Sequence, residues 1–100
     1  MTVAGTWNLT IATPIGRQAV VLELSERDGA LHGSARGTAE EVPLIDLVRD
    51  GNRLTWRQAI TRPLRLNLVF DVTVDGDTLT GVSRAGRLPS SAVTGTRVRP

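Results

Sequence analysis

No cysteine occurs in the chain, which removes disulfide bridges, thiolate nucleophiles and cysteine-ligated metal sites together. Lysine and tyrosine are absent as well. All 12 basic residues are arginine, so there is no amine for a Schiff base and no phenolic acid. A single histidine, His32, excludes a histidine metal cluster and leaves a serine–histidine–aspartate triad one base to draw on. Aromatics make up only 3% of the residues, and the three rings, Trp7, Trp56 and Phe70, all fall on inward positions, which leaves no exposed stacking platform for a nucleic-acid strand. No apolar run approaches membrane-spanning length, and no basic-then-apolar leader opens the chain. Glycine-rich phosphate loops and metal-ligand spacings are missing too. The expectation is a soluble, cytoplasmic protein with no metal and no cofactor, and with neither nucleic acid nor membrane as a partner.

What remains is a globular composition. Hydrophobic residues are 40% of the 100, enough for one small domain, and the net charge of +2 is too low to mark a nucleic-acid binder. The pattern within that composition occurs twice. Trp7-Asn8-Leu9-Thr10-Ile11-Ala12-Thr13-Pro14-Ile15 returns as Trp56-Arg57-Gln58-Ala59-Ile60-Thr61-Arg62-Pro63-Leu64. Each copy leads to an alternating segment, an Asp-Gly turn and a Leu followed by Gly: Asp28-Gly29-Ala30-Leu31-His32-Gly33 and Asp75-Gly76-Asp77-Thr78-Leu79-Thr80-Gly81. Self-similarity of this kind points to one four-strand unit used twice, with halves at about 4–49 and 53–98.

Period-two alternation bounded by Gly, Pro and Asp-Gly dominates throughout. It predicts strands at about 4–13, 17–26, 30–37, 40–49, 53–61, 64–75, 78–85 and 90–98. A helix over about 39–49 is the competing assignment for the fourth segment, and Pro43 speaks against it. Every connection is short, so successive strands should be antiparallel neighbours. The expected fold is all-β: an eight-stranded antiparallel up-and-down β-barrel made of two four-strand repeats, in which closure removes the exposed edges.

Alternation also assigns faces. Trp7, Leu9 and Ile11, Val20, Leu22 and Leu24, Leu54, Trp56 and Ile60, and the even positions from Leu64 to Val74 are expected inside. On the fourth strand two inner sets are open: Leu44, Asp46 and Val48, or Pro43, Ile45 and Leu47. Inward Gly33, Ala35, Gly81 and Ser83 leave room opposite the large rings, so the barrel either is filled by side chains or holds one small ligand.

The two ends differ. Gly5-Thr6-Trp7 near the start and Thr94-Gly95-Thr96-Arg97 in the closing strand meet at the Asp-Gly turn end. Together they resemble the arrangement of the calycins: lipocalins, fatty-acid-binding proteins and streptavidin. The resemblance implies that Trp7 plugs the barrel floor and Arg97 lies over it in a cation–π contact. The other end is the expected mouth. Its loops carry Ile15, Leu64 and Leu88, with Arg17, Arg36, Arg62, Arg65, Arg84 and Arg87 on or beside them against only Glu40 and Glu41. Such a rim suits an amphiphile with an apolar body and an acidic head, because guanidinium pairs with carboxylate in a fork.

Candidate ligand-binding residues follow: Trp56, Phe70, Ile60 and Leu66 as wall, Gln18, Gln58 and Ser83 as polar contacts, and Arg62, Arg65 and Arg87 at the rim. The two glutamines could equally bond each other. Asp46, if inward, would be a carboxyl of raised pKa and the one candidate acid or base, although an Asp before a turn more often sits outside beside an Arg. His32 alternates outward. The leading functional expectation is a small-molecule-binding barrel for a mainly apolar ligand with an acidic head. A second is a cyclase or isomerase that works by shape. It rests on resemblance to allene oxide cyclase and to bacterial barrels that close polyketide rings, which implies a flexible polyketide- or oxylipin-like substrate folded into a reactive conformer. A third is an interaction domain with a filled core. There, outward Val21, Val69, Ala19 and Val82 would offer a patch for a homodimer.

Overall fold

The computed structural model describes residues 3–13, 16–37, 40–61 and 65–98. Over them the chain forms nine strands: β1 (Gly5–Thr13), β2 (Gly16–Arg27), β3 (Ala30–Arg36), β4 (Glu41–Pro43), β5 (Ile45–Asp50), β6 (Arg53–Ile60), β7 (Leu66–Asp75), β8 (Thr78–Ala85) and β9 (Ser91–Arg97). They make one antiparallel sheet in the order β4-β3-β2-β1-β9-β8-β7-β6-β5. Its two outer strands are consecutive in the chain, and β4 and β5 also approach β6 and β3 respectively, so the sheet rolls into a nearly closed up-and-down barrel. Among the described residues no helix is long and apolar enough to cross a membrane.

The turns follow from local chemistry. Arg27 pairs with Ala30 across Asp28 and Gly29, which sit at φ 53° and 78°. Both central residues are left-handed, as a type I′ turn requires, and Asp tolerates that region better than most residues. Asp50 pairs with Arg53 and Asp75 with Thr78. In those two turns only the first central residue, Gly51 or Gly76, has positive φ, at 62° and 63°. That is the requirement of a type II′ turn.

Nine strands replace the expected eight because the fourth changes neighbours partway along. β4 pairs with β3 through Ser34–Pro43, Ala35–Val42 and Arg36–Glu41, and the Leu44 N–H extends that ladder to the Gly33 carbonyl at 3.0 Å. β5 pairs with β6 instead, and its register shifts between Ile45 and Val48. Asp46, at φ 53°, is the left-handed residue of this bulge. An extra residue reverses the inward parity. Before the bulge Val42 and Leu44 face the core; after it Leu47 does. Neither of the two inner sets read from alternation is used whole, and Asp46, Ile45 and Val48 all stay exposed.

The core is deepest at the turn end. Trp7, Leu22 and Leu54 are fully buried there, with Val72, Val74 and Leu79 nearly so. The inward room at two strand glycines is already taken. A Cβ on Gly33 would lie 2.7 Å from Leu24 Cδ2 and 2.9 Å from Leu44 Cδ1. One on Gly81 would overlap the Asp71 carbonyl and come 2.5 Å from Val72 Cα. These glycines admit neighbours rather than leave space.

Trp7 closes this end. Its indole N–H donates to the Val3 carbonyl at 3.1 Å, and the Arg97 guanidinium carbon lies 4.4 Å from the ring centroid. Arg97 is itself tied down: Nη1 donates to the Ala4 carbonyl at 2.6 Å, Nη2 to the Gly76 carbonyl at 3.3 Å and Nε to Asp77 Oδ1 at 3.0 Å. Such charge-assisted bonds around a half-buried cation make a rigid floor.

Candidate functional site

Above that floor the barrel interior changes character. Phe70, on β7, lies directly opposite Trp56 on β6 and opposite Ser83 on β8. The Trp56 and Phe70 rings stack with centroids 4.9 Å apart and an interplanar angle of 7°. Offset pairs of this kind contribute about 0.5–1.5 kcal/mol beyond their burial. One level nearer the loop end, Gln58 faces Leu68, and Leu68 faces Ala85. Gln58 is 6% exposed and Ser83 5%; they are the two buried polar side chains of the described core. The Trp56 indole N–H donates to Gln58 Oε1 at 2.8 Å, so a backbone spacing of two residues locks the amide to the ring.

Toward the loop end the inward side chains are no longer sealed. Val20 on β2, Ile60 on β6 and Leu68 on β7 are half-buried and packed on the core, and Leu66 on β7 is half-buried as well. Ser91 faces Ser83 across β8 and β9 and is half-buried as well. Its inward position follows from the parity of Val93, Gly95 and Arg97, a signal present in the sequence but not used there. Gln18 lies opposite Ile11 on the inward register, yet its side chain is exposed at the rim. It does not meet Gln58, which takes the indole as its partner instead.

Of the two placements open for Asp46, inward or outside beside an arginine, the structure takes the second. The bulge turns it outward, where it forms an exposed ion pair with Arg57. An exposed carboxylate beside guanidinium is an ordinary surface pair, not an interior acid or base. His32 is exposed on the outer face of β3, as alternation predicts. A second outward pair, Arg53 Nη2 to Asp71 Oδ2 at 2.6 Å, joins β6 to β7. The hydrogen bond from Arg53, reinforced by its charge and opposed by slight desolvation, holds the Asp71 carboxyl below its ordinary value.

At the loop end Arg17, Arg36, Arg65, Arg84 and Arg87 are all exposed, and Leu88 is 60% exposed at the tip of the connection between β8 and β9. Arg62, Ile15 and Leu64 lie outside the described residues. One contact missed by sequence reasoning crosses the rim. Glu40 accepts from the Thr61 N–H at 2.6 Å through Oε1 and from the Thr61 hydroxyl at 2.9 Å through Oε2. Two residues so far apart in sequence carry no local signal of meeting.

A second opening lies at the turn end, where β3 and β5 diverge. It is a cleft of about 410 Å³ lined by Glu26, Gly29, Ala30, Leu31, Leu47 and Arg49. Among the described residues no group of three His, Cys, Asp or Glu side chains could hold a metal ion. No protein-family model, no curated protein and no solved structure matches the chain.

Proposed function

We propose that the protein binds a small, mainly apolar molecule through the loop end of the barrel. The observation that carries this is the gradient of burial along the inward face. Trp7, Leu22, Leu54, Val72, Val74 and Leu79 near the floor are sealed, with Leu31 and Leu47 beside the turn-end cleft the exceptions, whereas at the loop end inward Val20, Ile60, Leu66 and Leu68 still reach solvent. Inward aliphatics that water can touch are what an open mouth leaves, and covering them with an apolar ligand is favourable by roughly 25 cal/mol per Å². The exposed arginines around that mouth suit an acidic group on the ligand's outer end.

The inner walls favour binding over acid–base catalysis. With Asp46 outside, the described inward residues from Phe70 to the rim contain no titratable side chain, so a general acid or base has no carrier there. A calycin-like lineage belongs to the same proposal and is supported by Trp7 beneath Arg97. So does a doubled four-strand unit, supported by Trp7 and Trp56 holding inward positions on β1 and β6.

Tryptophan emission tests the reading, since Trp56 lines the site. Medium-chain carboxylic acids should shift it saturably, and affinity should fall as salt screens the arginine rim. A flat response across acids, alcohols and aromatic hydrocarbons would sink it.

A further inference from the structure

Gln58 and Ser83 define what the inner end of such a ligand must offer. An indole N–H can only donate, so the atom that receives it at 2.8 Å is the glutamine oxygen. Both hydrogens on Gln58 Nε2 therefore point elsewhere. Among the described residues nothing accepts them, and Ser83 Oγ likewise has no hydrogen-bond partner. Yet no fully enclosed polar side-chain atom among the described residues lacks a partner. Nε2 and Oγ must then border accessible space, although their side chains are more than nine-tenths buried. Two donors are thus held ready beside Phe70, which pairs directly with Ser83 and lies one level from Gln58.

Building on the ligand-binding reading, we propose that the inserted end of the ligand carries an uncharged carbonyl oxygen. A ketone, ester or amide there accepts from Gln58 Nε2 and Ser83 Oγ, while an acid group stays outside among the arginines. Charge decides this orientation. From the level of the two donors to the rim, the described inward positions of β6 to β9 are Ile60, Leu66, Leu68, Ala85 and Ser91, with no cation to accompany a buried carboxylate. A carboxylate pushed inward would lose its water without gaining a partner. From the level of Leu68 to Arg65 is three residues, or about 10 Å of strand. The carbonyl and carboxyl of 9-oxodecanoic acid are separated by a distance of that order.

The test uses the full-length, isotope-labelled chain and two probes, 9-oxodecanoic acid and decanoic acid, followed by tryptophan emission and by the Gln58 side-chain amide resonances. The keto acid should bind about five- to tenfold more tightly, the range of one or two neutral hydrogen bonds, and it alone should move those resonances. Ser83→Ala and Gln58→Leu should each erase most of that preference of the keto acid over decanoic acid. Ser83→Ala removes a single hydroxyl, leaves the bond from Trp56 to Gln58 in place and keeps the test open if Gln58→Leu does not fold. Equal affinity for the two acids, with the Gln58 resonances unmoved, overturns the carbonyl assignment while leaving the binding barrel standing. Failure of both acids, together with a silent hydrophobic panel, overturns both.

Discussion

Asp46 holds a left-handed backbone at φ 53° while its carboxylate rests on Arg57. Two effects meet at this one residue. The left-handed conformation costs most side chains about 1–2 kcal/mol, with Asn, Asp and Gly spared most of it. The exposed ion pair returns well under that amount. Conformation should therefore dominate. Asp46→Asn is expected to change stability by less than about 0.5 kcal/mol, whereas Asp46→Val should cost about 1–2 kcal/mol, read from urea unfolding midpoints. The reverse order would mean that the ion pair, not the bulge, holds β5 in place. The sequence did carry a trace of this bulge. Val42 and Leu44 keep a spacing of two, but the next core residue, Leu47, comes three positions later. Reading a single parity through the whole segment hid the break and left the inward face of the strand, and with it the side of Asp46, undecided.

At the level of the element, β8 depends on a side chain it does not have. Gly81 pairs with Val72 on one side and Val93 on the other, and the β7 backbone fills the place of its Cβ. A flexible neighbour could swing aside, but a carbonyl in a hydrogen-bonded ladder cannot move without taking the strand with it. Gly81→Ala is accordingly expected to destabilise by about 3 kcal/mol, the upper end of overpacking costs. Gly51→Ala, in an open turn, should lose only the smaller cost of its positive φ. Thermal unfolding of the two variants separates close approach from turn strain. Strand positions and inward rings were legible because alternation reports burial on one face directly. The occupancy of the glycine positions was not. Whether a small inward residue leaves a hole or admits a neighbour depends on how far adjacent strands coil toward it, which no single-strand pattern contains.

The molecule as a whole closes through a strand that serves two neighbours in turn. β4 completes the ladder of β3 and β5 completes that of β6, so each half leaves a diagonal gap beside the strand it has abandoned. At the turn end that gap is the cleft between Leu31 and Leu47. At the loop end it is spanned by a side chain: the Glu40 carboxylate stands where a ladder carbonyl would, and takes the Thr61 N–H and hydroxyl from the end of β6. Closure was foreseeable from short antiparallel connections, but the change of neighbours was not, because pairing partners are fixed by the curvature of the assembled sheet. The floor does not share this weakness, since Arg97 ties Ala4, Gly76 and Asp77 together over Trp7. The barrel should therefore open from the rim downward along one line. Glu40→Ala removes both acceptors and leaves the β4 and β6 backbones untouched. Native-state hydrogen exchange should then show the Thr61 amide losing about tenfold or more of its protection, equivalent to about 1.4 kcal/mol of local opening. Amides of β1 and β9, on the far side of the barrel, should exchange as before. Faster exchange spread evenly over all strands would instead mean that Glu40 supports the fold as a whole, and that the gap between β4 and β6 is not a separate line of opening.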